Sequence, residues 1–247
     1  MRVLYATAEL HPVVTVGGLA AAAAGLTAEL RRQGVEVEVV LPDYGGVALE
    51  GEASLELDVP AWAAPAHARA GSHAAAGQLT LVSVPGIARP DPYVDEQGEG
   101  WPDNDRRFFA FAAAVAALAR LREHDVLHLN DWHAATALAA FKSPPPSVLS
   151  IHNLAYQGWA ARAWTKRLGP RGKKYRHGKA CNPLAEAIAL ADATVVVSPT
   201  YRTEVLRPNG GCGLDDLLRS RGQGLVGIRN GIDTALWDPA ADPHLPA

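Results

Sequence analysis

Short β-branched and leucine-rich runs alternate with longer alanine-rich stretches along the chain. Residues 2–7 and 35–41 flank residues 19–33, whose helix-forming composition is closed by Gly34, which predicts a βαβ unit. Further apolar runs at 125–129, 148–151 and 193–197 alternate with helical stretches at 103–122, 132–142 and 183–191. That alternation predicts one doubly wound α/β domain with a parallel sheet and helices on both faces. The run 79–84 follows a Pro- and Ala-rich stretch and is expected to pair with 54–59 as an antiparallel excursion. In such a sheet the ligand crevice lies beyond the carboxyl ends of the strands, so the residues that follow each strand carry the chemistry.

Composition narrows the function classes. The 247 residues are 48% apolar, enough for one sizeable core. A formal charge of -3 argues against the broad basic field that nucleic acids and membrane surfaces require. Cys181 and Cys212 stand far apart with no Cys or His at ligand spacing, so neither a zinc site nor a disulfide framework is expected; no cofactor is expected either. The start lacks the apolar core of a signal peptide and no run reaches transmembrane length, which makes a reducing cytoplasm the expected location.

At the first strand end, the loop from Glu9 to Leu19 carries paired glycines, Gly17 and Gly18, and feeds a helix. Glycines permit close backbone approach and free amides at a helix start attract phosphate, although a plain connecting turn explains the same residues. Asn130-Asp131-Trp132-His133 follows the strand at 125–129, with Asp131 placed to cap the helix that starts at Trp132. His152-Asn153 emerges at the edge of 148–151, followed by Leu154-Ala155-Tyr156-Gln157-Gly158; structural and ligand-orienting roles are both open there. Ser198-Pro199 is a capping signature, and Asn230-Gly231 is a turn dipeptide.

Taken in order, Ala8-Glu9 with Gly17-Gly18-Leu19, Asn130-Asp131-Trp132-His133, Ile151-His152-Asn153-Leu154-Ala155-Tyr156-Gln157-Gly158, Val197-Ser198-Pro199-Thr200-Tyr201 and Asn230-Gly231-Ile232-Asp233 resemble the amino-terminal domain of the glycogen and starch synthase family. The resemblance implies a Rossmann-like domain, the amino-terminal half of a GT-B architecture, and retaining transfer of glucose from ADP- or UDP-glucose to an α-1,4-glucan without a metal. It places Gly17 and Gly18 near the donor diphosphate, His152 beside the transferred glucose, and Asp131 in the sugar site. Asn153 and Tyr156 would line the same wall, while Tyr93 and Asn104 resemble an acceptor-side loop. Two positions depart: Thr15 stands where the family has Lys, and Ala21 where it has an acidic residue. A hydroxyl in place of a full charge weakens the hold on a diphosphate.

The resemblance puts the crossover into the carboxy-terminal domain at 245–247, so that domain is expected to be absent from residues 1–247. One half of a split or repurposed hexosyltransferase follows, using a nucleotide sugar or sugar phosphate, with a partner subunit or a second copy supplying the other wall. A catalytically inactive sugar- or glucan-binding module is the alternative. An uncovered interdomain wall would expose an apolar or mixed patch at the carboxyl edge. Finally, a short segment replaces the acidic and aromatic insertion expected after the His-Asn motif, and it carries Lys166, Arg167, Arg171, Lys173, Lys174, Arg176 and Lys179. Such a run is most often a solvated loop; within it Lys173, Lys174 and Arg176 are candidates for binding an anion or an acidic partner surface.

Overall fold

The computed structural model describes residues 1–234 and 237–240, so the expected crossover at 245–247 lies outside the described residues. Nine strands form one sheet in the order β12-β11-β7-β6-β1-β2-β5-β4-β3. The parallel part comprises β12 (Leu225–Gly227), β11 (Ala193–Val196), β7 (Ser147–Ile151), β6 (Val126–Asn130), β1 (Arg2–Ala6), β2 (Glu36–Pro42) and β5 (Gly77–Ser83). Its core strands are rich in Val and Leu because both faces need apolar cover. β1 sits between β2 and β6, so the chain's winding direction reverses there. The carboxyl ends of β1 and β6 therefore form the topological switch point, where doubly wound sheets bind ligands.

Helices cover the two faces unequally. α1 (Gly18–Arg32) buries Ala23 against Val3, Tyr5, Val37 and Val39, and Ala20 is buried as well. On the opposite face α2 (Asn104–Leu121) is buried from Arg107 to Leu118, including Phe108, Phe109 and Phe111, as expected of a helix apolar on all sides. α3 (Asp131–Ala135) and α4 (Pro183–Leu190) lie in the same core. α5 (Pro199–Val205) starts at Ser198, whose side chain accepts from the Tyr201 amide with Pro199 in the first turn, as that sequence predicts. α6 (Asp215–Ser220) precedes β12. None of the helices among the described residues is long and apolar enough to cross a membrane.

Two expectations are corrected. The run at 79–84 does not pair with 54–59. β4 (His67–His73) lies between β5 and the edge strand β3 (Glu50–Glu56), antiparallel to both. His-Ala-Arg-Ala-Gly-Ser-His has no apolar alternation to announce a strand. The second correction concerns 132–142, which is not one helix: α3 ends at Ala135 and a tighter 3₁₀ turn runs Thr136–Ala140. Here the segment beyond β7 claims the carbonyls: Tyr175 Oη donates to Ala135 O and the Arg171 amide to Ala139 O.

That segment, expected to be a solvated loop, is tied down. β8 (Ala160–Ala161), β9 (Arg176–His177) and β10 (Ala180–Cys181) form a small antiparallel sheet, with 3₁₀ turns at Arg162–Lys166 and Gly172–Tyr175. Trp164, Leu168, Tyr175 and Cys181 are buried beneath it. Both cysteines are free, and Cys212 is exposed.

Candidate functional site

At the switch point one amide organises three strands. Asn130, the last residue of β6, is fully buried, and its Nδ2 donates to Ala6 O at 3.0 Å. A carbonyl only accepts, so this bond fixes the amide's orientation and turns Oδ1 toward Tyr5 Oη (3.1 Å) and His152 Nε2 (3.0 Å). His152 therefore carries its proton on Nε2 and keeps Nδ1 as an acceptor. Burial lowers its pKa to about 4, so the ring is neutral at pH 7.

Asp131 is buried, with φ of 50°, a left-handed conformation that Asp tolerates better than most residues. It does not cap the helix at Trp132, as its position suggested. The turned backbone sends its carboxylate to β7 instead, where Oδ1 accepts from the His152 amide at 2.8 Å. Burial pushes the carboxyl up to about 7; the amides of His152 and Asn153 oppose this, and the nearby Glu9 charge adds to it. Near neutrality Asp131 holds or releases a proton, and ionised it offers negative charge to a cationic centre.

Glu9 is the residue that the sequence pattern under-rated. Its Oε2 accepts from the amides of Val16 (2.9 Å) and Gly17 (2.7 Å), and Oε1 accepts from Tyr93 Oη (2.8 Å). The Gly17 amide is thus not free for a phosphate: a carboxylate already occupies it. Gly17 and Gly18 have open space around their Cα atoms, which keeps the loop approachable. Thr15 bonds His11 Nδ1 at 3.2 Å.

Tyr93 and Asn104 belong to a braced loop. Asn104 Nδ2 donates to Tyr93 O, and the fully buried Arg107 donates to Asn104 Oδ1, Ile87 O and Pro92 O. Through Tyr93 and Glu9 this loop is joined to the glycine loop. Asn153 is exposed and its Oδ1 accepts from the Ala155 amide; Tyr156 is also exposed. Gln157 is buried and turns inward, its Nε2 to Cys212 O and its Oε1 toward Asn182 Nδ2. The structure thus brings His152, Asp131, Gly17 and, through Glu9, Tyr93 together. Lys173, Lys174 and Arg176 lie apart, on the small antiparallel sheet and its turn.

A further pair extends the site along the sheet. His128 Nε2 lies 2.8 Å from Ser150 Oγ, and burial lowers the pKa of His128 to about 3. Both residues, with Tyr5 and His152, border a 930 Å³ groove on the α1 face of the sheet, between α1 and residues 228–234. Leu26, Ile228 and Ile232 are exposed beside it, while Val16, Tyr156 and Trp159 are exposed in the loops that follow β1 and β7. Among the described residues no group of three His, Cys, Asp or Glu could hold a metal ion.

Comparison with known proteins gives the family and the fold. Residues 2–220 match the family described as the starch synthase catalytic domain. The glycogen synthase of Acidiphilium cryptum is 40% identical, covering 100% of this chain and 55% of its own length. Glycogen synthase 2 of Nitrosococcus oceani is 37% identical, covering 99% and 53%. The catalytic domain of starch synthase IV from Arabidopsis thaliana, solved bound to ADP and acarbose, superposes with a TM-score of 0.82 at 29% identity, covering 99% of this chain and 54% of that one. The chain spans about half the length of the relatives it matches.

Proposed function

This chain belongs to the starch synthase catalytic-domain family, and on that footing we propose that it forms one wall of a retaining hexosyltransferase cleft. The donor is a nucleotide sugar, ADP- or UDP-glucose, or a sugar phosphate. The facing wall comes from outside residues 1–247, from a second domain, a partner subunit or a second copy. What carries this reading is the convergence of Asp131, His152 and the Glu9-held glycine loop on one switch point. His152, neutral and oriented by Asn130, would hydrogen-bond the transferred sugar. Asp131 would stabilise positive charge that develops at the anomeric carbon. Rigid placement of both groups is what an oriented front-face displacement needs, since the enzyme's contribution there is positioning and charge.

Thr15 favours a second reading, an inactive glucan-binding module. Where the resemblance calls for a lysine this chain has a hydroxyl bonded to His11, and the Gly17 amide is already taken. One experiment separates the two. The chain is mixed with the carboxy-terminal half of the Acidiphilium cryptum glycogen synthase and given labelled ADP-glucose or UDP-glucose with maltoheptaose. Elongation that requires both halves supports the transferase; maltoheptaose binding without elongation by any donor supports the module.

A further inference from the structure

Charge is distributed unevenly along this acidic chain. Residues 132–185 hold nine of its 23 Lys and Arg and no Asp or Glu, leaving 14 Lys and Arg against 26 Asp and Glu elsewhere. Eight of the nine fall between Arg162 and Lys179, the segment built on β8, β9 and β10. Among the described residues none of the eight forms an ion pair, whereas Arg2, Arg32, Arg69, Arg89, Arg122 and Arg219 all do.

The cations do not ride on a floppy loop. Tyr175 and Trp164 are buried, the Trp164 Nε1 bond reaches Asp105, and Trp62 Nε1 donates to Arg167 O. Fixing this many like charges on a rigid platform costs self-repulsion, and no acidic side chain on the platform relieves it. Arg171 and Lys174 lie close enough to oppose the rise that burial imposes on Glu186, which sits at about 7.

An aromatic step adjoins the platform. Trp159 is 53% exposed and Tyr156 67%, and the Trp159 ring stands edge-on to His177 of β9 with centroids 5.3 Å apart. Asn104, Asp105, Trp132, Tyr156 and Trp159 border a 290 Å³ recess that joins this step to the braced loop of the candidate site, with the Asp105 carboxylate engaged by Trp164 Nε1. Exposed aromatic faces suit the apolar faces of sugar rings, and cations suit phosphate oxygens. Strand pairing puts Arg176 across from Cys181, and Cys181 across from Ala160, so Arg176 lies two strands, roughly 10 Å, from the residue after Trp159. That spacing is about the reach of a phosphate borne on the next sugar of a chain.

We infer that the Tyr156–Trp159 step and the basic platform behind it bind an anionic glycan, a sugar chain carrying phosphate groups. The inference deepens the transferase reading by naming the acceptor class, and it rests on that reading only in taking a carbohydrate as ligand. Tyr156 and Trp159 hold the rings; Lys173, Lys174 and Arg176 hold the phosphate.

Calorimetric titration of the whole chain tests it with four probes: maltoheptaose, maltoheptaose bearing a 6-phosphate, inorganic phosphate and an oligoglutamate peptide. The phosphorylated sugar is expected to bind about ten-fold more tightly than each of the others. The K173A/K174A/R176A variant should erase that advantage, keep the maltoheptaose affinity and melt within a few degrees of the parent, since relief of like-charge repulsion offsets the exposed Arg176 bond to Gly178 O and the pull of Lys174 on Glu186. Trp159→Ala should weaken both sugars alike. Equal binding of the two sugars would overturn the inference and leave the transferase reading standing on its own two-half assay. Failure of both sugars to bind would overturn it whatever that assay gives. Phosphate alone or oligoglutamate binding as tightly as the phosphorylated sugar would overturn it too, marking a general anion site or an acidic protein's docking surface.

Discussion

The switch point and the basic platform lie on either side of the loop that follows β7, and they treat charge in opposite ways. At the switch point the polar groups are paired: Glu9 accepts three bonds, and burial raises the pKa of Asp131 to about 7 and lowers that of His152 to about 4. On the platform eight cations face solvent or nearly so with no ion pair among the described residues. The first arrangement is preorganised and responds to pH. The second acts as a field and responds to salt, because exposed charges are screened over ~8 Å at physiological ionic strength.

The largest effect should come from Asp131→Asn, which keeps an acceptor for the His152 amide and removes the charge. Transfer by the two-half complex should fall by about 100-fold. Stability should move the other way. Because the folded carboxyl titrates above its ordinary value, the native state loses stability as pH rises from 3.8 toward 7, and the variant escapes that loss. Its advantage should be greatest above pH 7, capped at ~4 kcal/mol by the displacement of the pKa, and should vanish near pH 4. Urea unfolding of both proteins from pH 4 to 8 checks this.

Gly158→Ala should damage the junction between the two regions. Gly158 has φ of 70°, and an added Cβ would come within 2.3 Å of Trp132. A loss of about 3 kcal/mol is expected in the same assay, from strain and overpacking together. Glu9→Gln should cost less, about 1–2 kcal/mol, because it retains one oxygen but loses the charge that holds the Val16 and Gly17 amides. Those two amides should exchange hydrogen faster while the rest of α1 stays protected. Smallest is the K173A/K174A pair, within ±0.5 kcal/mol of the parent, as exposed side chains outside any ion pair allow.

Much of the fold was legible because parallel strands buried on both faces announce themselves as apolar runs. β4 was not, since its His, Ala, Arg, Gly and Ser carry too little apolar character to mark a strand before β3 and β5 flank it. At the site, position at a strand's carboxyl end pointed to Asp131 and His152, but the partner of Asp131 lies on another strand and nothing local reveals it. Hence the capping assignment failed. Glu9 stood in the motif without a role because its three donors come from residues 16, 17 and 93. Asn130 had a similar fate: it stood in the motif without a role, because only the fold shows that it sets the tautomer of His152. The basic run was visible as composition, whereas its anchoring by Trp164 and Tyr175 was not.

The central claim, that the switch point works on a sugar and is not merely well packed, is tested most directly at His152. Single-turnover glucose transfer by the two-half complex is measured with the parent chain and with His152→Ala, and each rate is divided by the folded fraction from thermal unfolding. The bond to Asn130 should make the variant less stable by about 1 kcal/mol, while turnover per folded molecule falls at least about ten-fold. Unchanged turnover per folded molecule, with the whole defect explained by lost stability, would contradict the account.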